Sequence, residues 1–188
     1  MRLDHVAYRV KDRTETAKFF IDAFGYRIDS KIPEGFDIQF EDNTTAKCLV
    51  LLPPEKYRDD IPFSINQHIS LGFWKQGFNA EFHMAPELFI SDGSSGSVVK
   101  TWVEKRDDIG GIHHMAFQVD DVLKMMEFMK EKGYAEFTTE EPLSCPGLTQ
   151  VFTKPSKLTG IIYEFIKRDA QGFCKDNVKD LMKSTKGL

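Results

Sequence analysis

The sequence is poor in cysteine, has no excess of positive charge and contains no long apolar run. Its three cysteines among 188 residues, Cys48, Cys145 and Cys174, lie far apart. An odd number without close spacing forms neither a disulfide framework nor a zinc site, which points to a reducing compartment. The net charge is −4, with 25 Lys and Arg against 29 Asp and Glu. With no basic block to release counterions from phosphates, neither a nucleic acid nor an anionic membrane surface is expected as a partner. No stretch approaches the roughly 20 apolar residues that span a bilayer. The opening Met1-Arg2-Leu3-Asp4-His5 has no apolar signal run. The expected location is cytoplasmic and the expected partner a small molecule; homodimerisation stays open. Apolar content of 41% and charged content of 29% suit a globular chain. The length allows one compact domain or two fused half-units.

What is present is a repeat. Leu3-Asp4-His5-Val6-Ala7-Tyr8-Arg9-Val10-Lys11-Asp12 is matched by Ile112-His113-His114-Met115-Ala116-Phe117-Gln118-Val119-Asp120-Asp121. Each stretch alternates with the period of a strand. Leu3, His5, Ala7 and Arg9 share one face, as do Ile112, His114, Ala116 and Gln118. The other faces carry Val6, Tyr8 and Val10, and Met115, Phe117 and Val119, and call for a helix packed on them. Asp12 and Asp121 sit where a helix N-cap belongs. Ala17, Phe20, Ile21 and Phe24 follow at helical spacing, as do Val122, Met125, Met126 and Met129. Gly25 and Gly133 suit the left-handed position beyond a helix end.

Further strands are expected at Tyr26 to Ile32, Asp37 to Phe40, Lys47 to Leu52, Gln150 to Thr153 and Gly160 to Ile166. The fold class is α+β: two tandem β-α-β-β-β units forming a cupped mixed sheet with helices outside. Residues 1–96 hold the first unit with an insertion, 97–168 the second, and 169–188 a helical tail. Within the insertion, His68 to Phe73 and Glu81 to Met84 are strand-like. Ser91 to Ser97 reads as a flexible run. Which piece completes the first sheet stays open. In the tail, Val178, Leu181 and Met182 form one apolar side that can lie over an opening.

His5 and His114 occupy equivalent positions in the two copies, so their imidazoles converge if the copies pair face to face. Glu164 lies in the apolar run Gly160-Ile161-Ile162-Tyr163-Glu164-Phe165-Ile166, where a carboxylate is costly unless paired or bound to a metal. A lone strand histidine is ordinarily structural; the repetition lifts these two above that. Two imidazoles and a carboxylate leave neighbouring positions of a metal open to a bidentate substrate and dioxygen, a set that suits non-haem Fe(II). With a fourth protein ligand, a Co(II), Ni(II) or Zn(II) ion there polarises a carbonyl as a Lewis acid, and Mn(II) also stays open. Whether His68, His83 or Gln67 adds that ligand stays open. Strict alternation turns His113 to the face opposite His114, in a packing or supporting role. Gln150 and Phe152 share one face of a strand and offer an amide and a ring to a substrate.

Two β-α-β-β-β units with His-x-Ala strands resemble the vicinal oxygen chelate (glyoxalase/bleomycin resistance/dioxygenase) superfamily over nearly the whole chain. Leu148 to Pro155, Tyr163 to Arg168 and the tail Gln171 to Leu181 resemble the catalytic domain of 4-hydroxyphenylpyruvate dioxygenase, the tail match being the most specific. The resemblance implies Fe(II) held by His5, His114 and Glu164, with Gln150 and Phe152 as catalytic and substrate-contacting residues. It also places Phe173 and Asn177 of the tail at the substrate. The chain departs from that family in lacking its further N-terminal domain. Val178 stands where an aromatic ring is expected and Val98 where a substrate-binding glutamine is expected. Leu3 to Tyr8, Trp102 to Asp121 and the Pro155 to Glu164 spacing resemble methylmalonyl-CoA epimerase instead. That family needs a further acid, for which only Asp37 is at hand, and a glutamine ligand not evident near Leu49. A non-enzymatic, metal-free binding protein of the same fold is a third class, against which the three-ligand set argues.

Overall fold

The structure, a computed structural model, describes residues 2–53, 85–169 and 172–188. His68 to Phe73, Glu81 to Met84 and the three open ligands Gln67, His68 and His83 lie outside the described residues, as does Gln171. The described chain forms strands β1 Arg2–Arg9, β2 Arg27–Ile28, β3 Phe36–Gln39, β4 Thr45–Leu52, β5 Glu87–Gly93, β6 Gly111–Gln118, β7 Leu143–Cys145, β8 Leu148–Phe152 and β9 Ile162–Arg168. Its helices are α1 Arg13–Phe24, α2 Val98–Glu104, α3 Val122–Glu131 and α4 Lys175–Ser184.

All the strands join one sheet in the order β2-β4-β5-β1-β6-β9-β8-β7, with β3 also paired to β4. β1 and β6 meet antiparallel at its centre. Each also has a parallel partner, β5 for β1 and β9 for β6, and each parallel partner has an antiparallel neighbour, β4 and β8. This is an approximate twofold arrangement of the two copies.

Both helix starts form as their aspartates require. Asp12 accepts bonds from the Thr14 and Glu15 amides at 2.8 and 2.9 Å, and Asp121 from the Lys124 amide at 3.0 Å. Gly25 and Gly133 take φ of 74° and 67°, conformations costly for a residue with a Cβ. α1 covers Val6, Val10, Leu49 and Ile90 on the outer face of the sheet. α3 covers Val151 and Phe165, with Phe117 and Val119 beside them. The inner face is apolar too, and α2 and α4 cover it: Val99, Val178 and Met182 pack with Ala7, Phe36 and Phe89. Leu181 packs with Phe152 and Ile162.

Two readings of the sequence are corrected. The first sheet is completed by β5, so Ser91 to Gly93 are strand and not a flexible run. Ser91 is buried opposite Arg9 and Cys48, and its carbonyl accepts from the Val10 amide at 2.9 Å. Central pairing overrides the turn preference of Ser-Asp-Gly. The strand expected from Tyr26 to Ile32 shortens to Arg27–Ile28, because the Lys31 amide donates to Asp29 Oδ1 at 2.9 Å and the chain turns away.

Candidate metal centre

The junction of β1 and β6 sets the site. His5 lies opposite Ala116 and Ala7 opposite His114, so each imidazole stands over a methyl group of the facing strand. The small alanines leave space between the rings. Glu164 comes from β9, level with Ala116. The three side chains are buried, and their donor atoms converge. Nε2 of His5 lies 3.3 Å from Nε2 of His114, and each nitrogen lies 3.2 Å from Oε2 of Glu164. Bonds of about 2.0–2.2 Å meeting near right angles need donors roughly 3 Å apart, so the triangle fits a divalent ion.

The pairing at this junction slips twice. Leu3 faces Phe117 and His5 faces Ala116, which leaves Asp4 as a bulged residue. Ala7 faces His114 and Tyr8 faces Ile112, which leaves His113 bulged in the same way. A bulge re-aims its side chain. His113 therefore does not turn to the opposite face, as strict alternation predicts; it lies beside His114 on the wall of the same cavity. Its Nδ1 is 2.9 Å from Nδ1 of His114. Asp4 does the corresponding work in the first copy, its Oδ1 accepting from Nδ1 of His5 at 2.7 Å. Each ring is thus oriented from behind with Nε2 pointing at the common centre, the arrangement that fixes tautomer and aim in metal-ligating histidines. With an ion on Nε2 of His114, its Nδ1 would donate to His113, whose own proton would then be on Nε2, an atom without a partner among the described residues. Asp4 is held by Arg168, whose Nη2 and Nε donate to Oδ1 and Oδ2 at 2.9 and 3.0 Å.

The charges follow from these contacts. Burial pushes Glu164 up, but His5 and His114 outweigh it and bring its pKa to about 2. Burial pulls His5 down, but Glu164 and Asp4 outweigh it and raise its pKa to about 9. Burial lowers His114 against the pull of Glu164. Burial also lifts Asp4, yet its bonds from His5 and Arg168 hold it at about 2. Without an ion, His5 is the protonated member and pairs with an ionised Glu164.

A narrow cavity of about 30 Å³ opens beside the triad. Gln150, Phe152 and Phe173 all line it, as does Val178. The Phe152 ring lies 4.6 Å from the His114 ring, and the Phe173 ring 5.2 Å from the His5 ring. Oε1 of Gln150 and Nδ2 of Asn177 are buried without hydrogen-bond partners among the described residues. Asn177 is buried on α4 but is not part of the lining, and neither is Val98, the first residue of α2. Asp37 is exposed on β3, between the buried Phe36 and Ile38, and so points away from the triad. The position related to Glu164 in the first copy is Phe89, since Phe89 is level with Ala7 as Glu164 is with Ala116.

The sequence reading missed Asp4, Arg9 and Phe89. Asp4 and Arg9 flank His5 in plain sight, but only the bulge and the burial give them a place in the site.

The sequence profile of the Glyoxalase/Bleomycin resistance protein/Dioxygenase superfamily matches residues 2–159. A search of curated proteins finds no match. Among solved structures, a mutant form of 4-hydroxymandelate synthase from Streptomyces coelicolor superposes with a TM-score of 0.69 at 18% identity, over 98% of this chain and 53% of its own. The chain thus spans about half the length of that synthase. A methylmalonyl-CoA epimerase superposes with a TM-score of 0.59 at 21% identity, over 90% of this chain and 97% of its own. The Mycobacterium tuberculosis epimerase gives 0.56 at 17% identity, over 90% and 89%. At such identities the likeness is one of fold.

Proposed function

The chain belongs to the glyoxalase/bleomycin resistance protein/dioxygenase superfamily, and from that premise we propose that it is a metal-dependent enzyme, an Fe(II) dioxygenase acting on a small α-keto or aromatic acid. The observation that carries this reading is the buried triangle of two imidazole nitrogens and one carboxylate oxygen with edges of 3.2–3.3 Å. Phe89 at the position related to Glu164 leaves the donor set at three among the described residues. Held by these three residues, a divalent metal would supply Lewis-acid and redox chemistry to a keto acid and dioxygen.

The chain's own residues do the rest. His5, His114 and Glu164 hold the ion, and Asp4 and His113 keep both imidazoles aimed at it. Gln150 presents an amide to the polar end of the substrate and Phe152 a ring to its apolar part. α4 covers the cavity with Val178, Leu181 and Met182 and excludes water. Val178 offers no ring for stacking, so 4-hydroxyphenylpyruvate itself is expected to be a poor substrate.

The epimerase reading has support in relatives that match almost end to end. It requires a second acid at the substrate, and Glu164 is the only carboxylate lining the cavity among the described residues. The deciding experiment loads the purified chain with Fe(II) and follows oxygen consumption over a panel of α-keto and aromatic acids. Oxygen uptake dependent on Fe(II) and on one class of acid is expected. Turnover that persists without oxygen, with solvent deuterium entering the substrate, overturns the dioxygenase in favour of the epimerase.

A further inference from the structure

Arg9 is buried on the triad face, two residues beyond Ala7, and lines the same cavity as the metal-binding residues. Its Nη2 donates to Oγ1 of Thr185 at 2.9 Å. Its Nη1 is buried and has no partner among the described residues. No carboxylate among them offsets its charge; the charged side chain that bears most on it is another cation, Arg106, which stacks 3.7 Å from the Trp102 ring centroid. Arg9 itself sits 5.9 Å from the same centroid, a weak substitute for an anion. A buried guanidinium without a counter-charge is costly, and such a group ordinarily has a carboxylate or phosphate across from it.

Its surroundings point the same way. His113 Nε2, which carries the ring proton when His114 holds an ion, is also buried and without a partner among the described residues, on the same cavity wall. Two such nitrogens thus border a space whose one carboxylate among the described residues, Glu164, is committed to the triad. On this face of β1 the residue between His5 and Arg9 is the small Ala7, and all three line the one cavity. On its other side Arg9 lines a surface pocket edged by the exposed Lys105 and by Lys186, whose Nζ lies 3.5 Å from Asp42 Oδ2.

We propose that Arg9 receives a second anionic group of the substrate, which is therefore an α-keto acid carrying an oxyanion, carboxylate or phosphate, at its far end. This rests on the α-keto acid reading above and narrows it. The keto-acid end meets the metal, the far oxyanion accepts from Arg9 Nη1 with His113 Nε2 as the second donor, and the chain between them passes over Ala7.

The test uses the full chain loaded with Co(II) and kept free of oxygen, where the visible absorption of the ion reports chelation and no dioxygen can be consumed. Three probes share a 2-oxo acid head: 2-oxoglutarate, its uncharged-tail counterpart 2-oxopentanoate, and 2-oxo-4-phosphonobutanoate. Calorimetry gives their affinities for the native chain, Arg9→Gln and Thr185→Val. The native chain should prefer one anionic tail over 2-oxopentanoate at least tenfold, and which tail wins identifies the group. Arg9→Gln should erase the preference while binding 2-oxopentanoate as before. Thr185→Val, which removes the Thr185 hydroxyl but keeps the cation, should retain it. Equal affinities in the native chain, or a preference that survives Arg9→Gln, overturns the proposal and leaves Arg9 as an anchor for Thr185. A tail preference without a change in the Co(II) absorption would keep Arg9's role and remove the chelation reading. An absorption change without a tail preference would do the reverse.

Discussion

His5 must change its charge when an ion enters. Its pKa of about 9 means that Nε2 carries a proton at pH 7 and has to lose it before it can ligate, whereas Glu164, at about 2, is already ionised. Metal binding at pH 7 should therefore release close to one proton. Affinity should rise about tenfold per pH unit and level off near pH 9. Calorimetry in buffers of different ionisation enthalpy reads the proton directly; no release would mean that His5 is neutral beforehand. In the metal-free chain the signs are opposite for the two partners. A raised histidine pKa stabilises the fold below its unfolded value of 6.5, and that contribution fades as pH rises through about 9. The lowered Glu164 pKa stabilises above 4.5, and its contribution fades as pH falls through about 2. Asp4 acts on the same ring from behind. Asp4→Asn keeps an acceptor but removes the charge, and should weaken metal binding by about 10–100-fold. An unchanged metal dissociation constant would reduce Asp4 to a partner of Arg168. The convergence of His5, His114 and Glu164 was legible because the sequence repeats His-x-Ala and sets one carboxylate in an apolar strand. Asp4 was not, and His113 was legible as a packing or supporting residue but not in its direction, because a bulge belongs to the pairing of two strands and leaves no mark on either one alone.

The elements that read clearly carry their own punctuation. α1 and α3 have an aspartate before them and a glycine after them. α2 has Ser97 as its cap, bonded to the Lys100 amide at 3.1 Å, but its Val98-Val99-Lys100-Thr101-Trp102-Val103 is rich in β-formers. It is helical because Val99, Trp102 and Val103 are all buried on one side. α4 was legible from its apolar side, and its location explains that pattern: Val178, Leu181 and Met182 close the cavity. Ending the chain at Arg168 should spare metal binding, since none of the three ligands lies beyond it. Turnover should fall at least tenfold as water enters. Metal stoichiometry and steady-state rate, measured together, decide; an unchanged rate would make α4 simple packing. Leu181→Ala is the milder probe. Leu181 is 2% exposed, and its truncation should cost about 2–5 kcal/mol of stability in denaturant titration.

At the scale of the whole molecule, the twofold relation predicts a ligand that is missing. The axis between β1 and β6 exchanges His5 with His114 and, through the parallel neighbours, Glu164 with Phe89. The second copy places a carboxylate at the centre; the first places a ring there, 4.9 Å from Phe173 and 6.5 Å from His5. The sequence hid this because the insertion lies between β4 and β5, and the strand that completes the first sheet begins with Glu87, far from where the repeat would put it. If the relation is real at the level of side chains, Phe89→Gln should carry an amide oxygen to the metal. The metal-free variant should be less stable by about 3–5 kcal/mol, as for other truncations of a buried ring. Added Co(II) should restore more stability to it than to the native chain, because the extra ligand binds only in the folded state. The visible absorption of Co(II) should also weaken as its coordination number rises. Oxygen consumption should fall, since a position open to substrate or dioxygen is now held by protein. Equal Co(II) spectra and equal metal-induced shifts in melting temperature in the two chains would show that position 89 does not reach the centre and that the symmetry stops at the backbone.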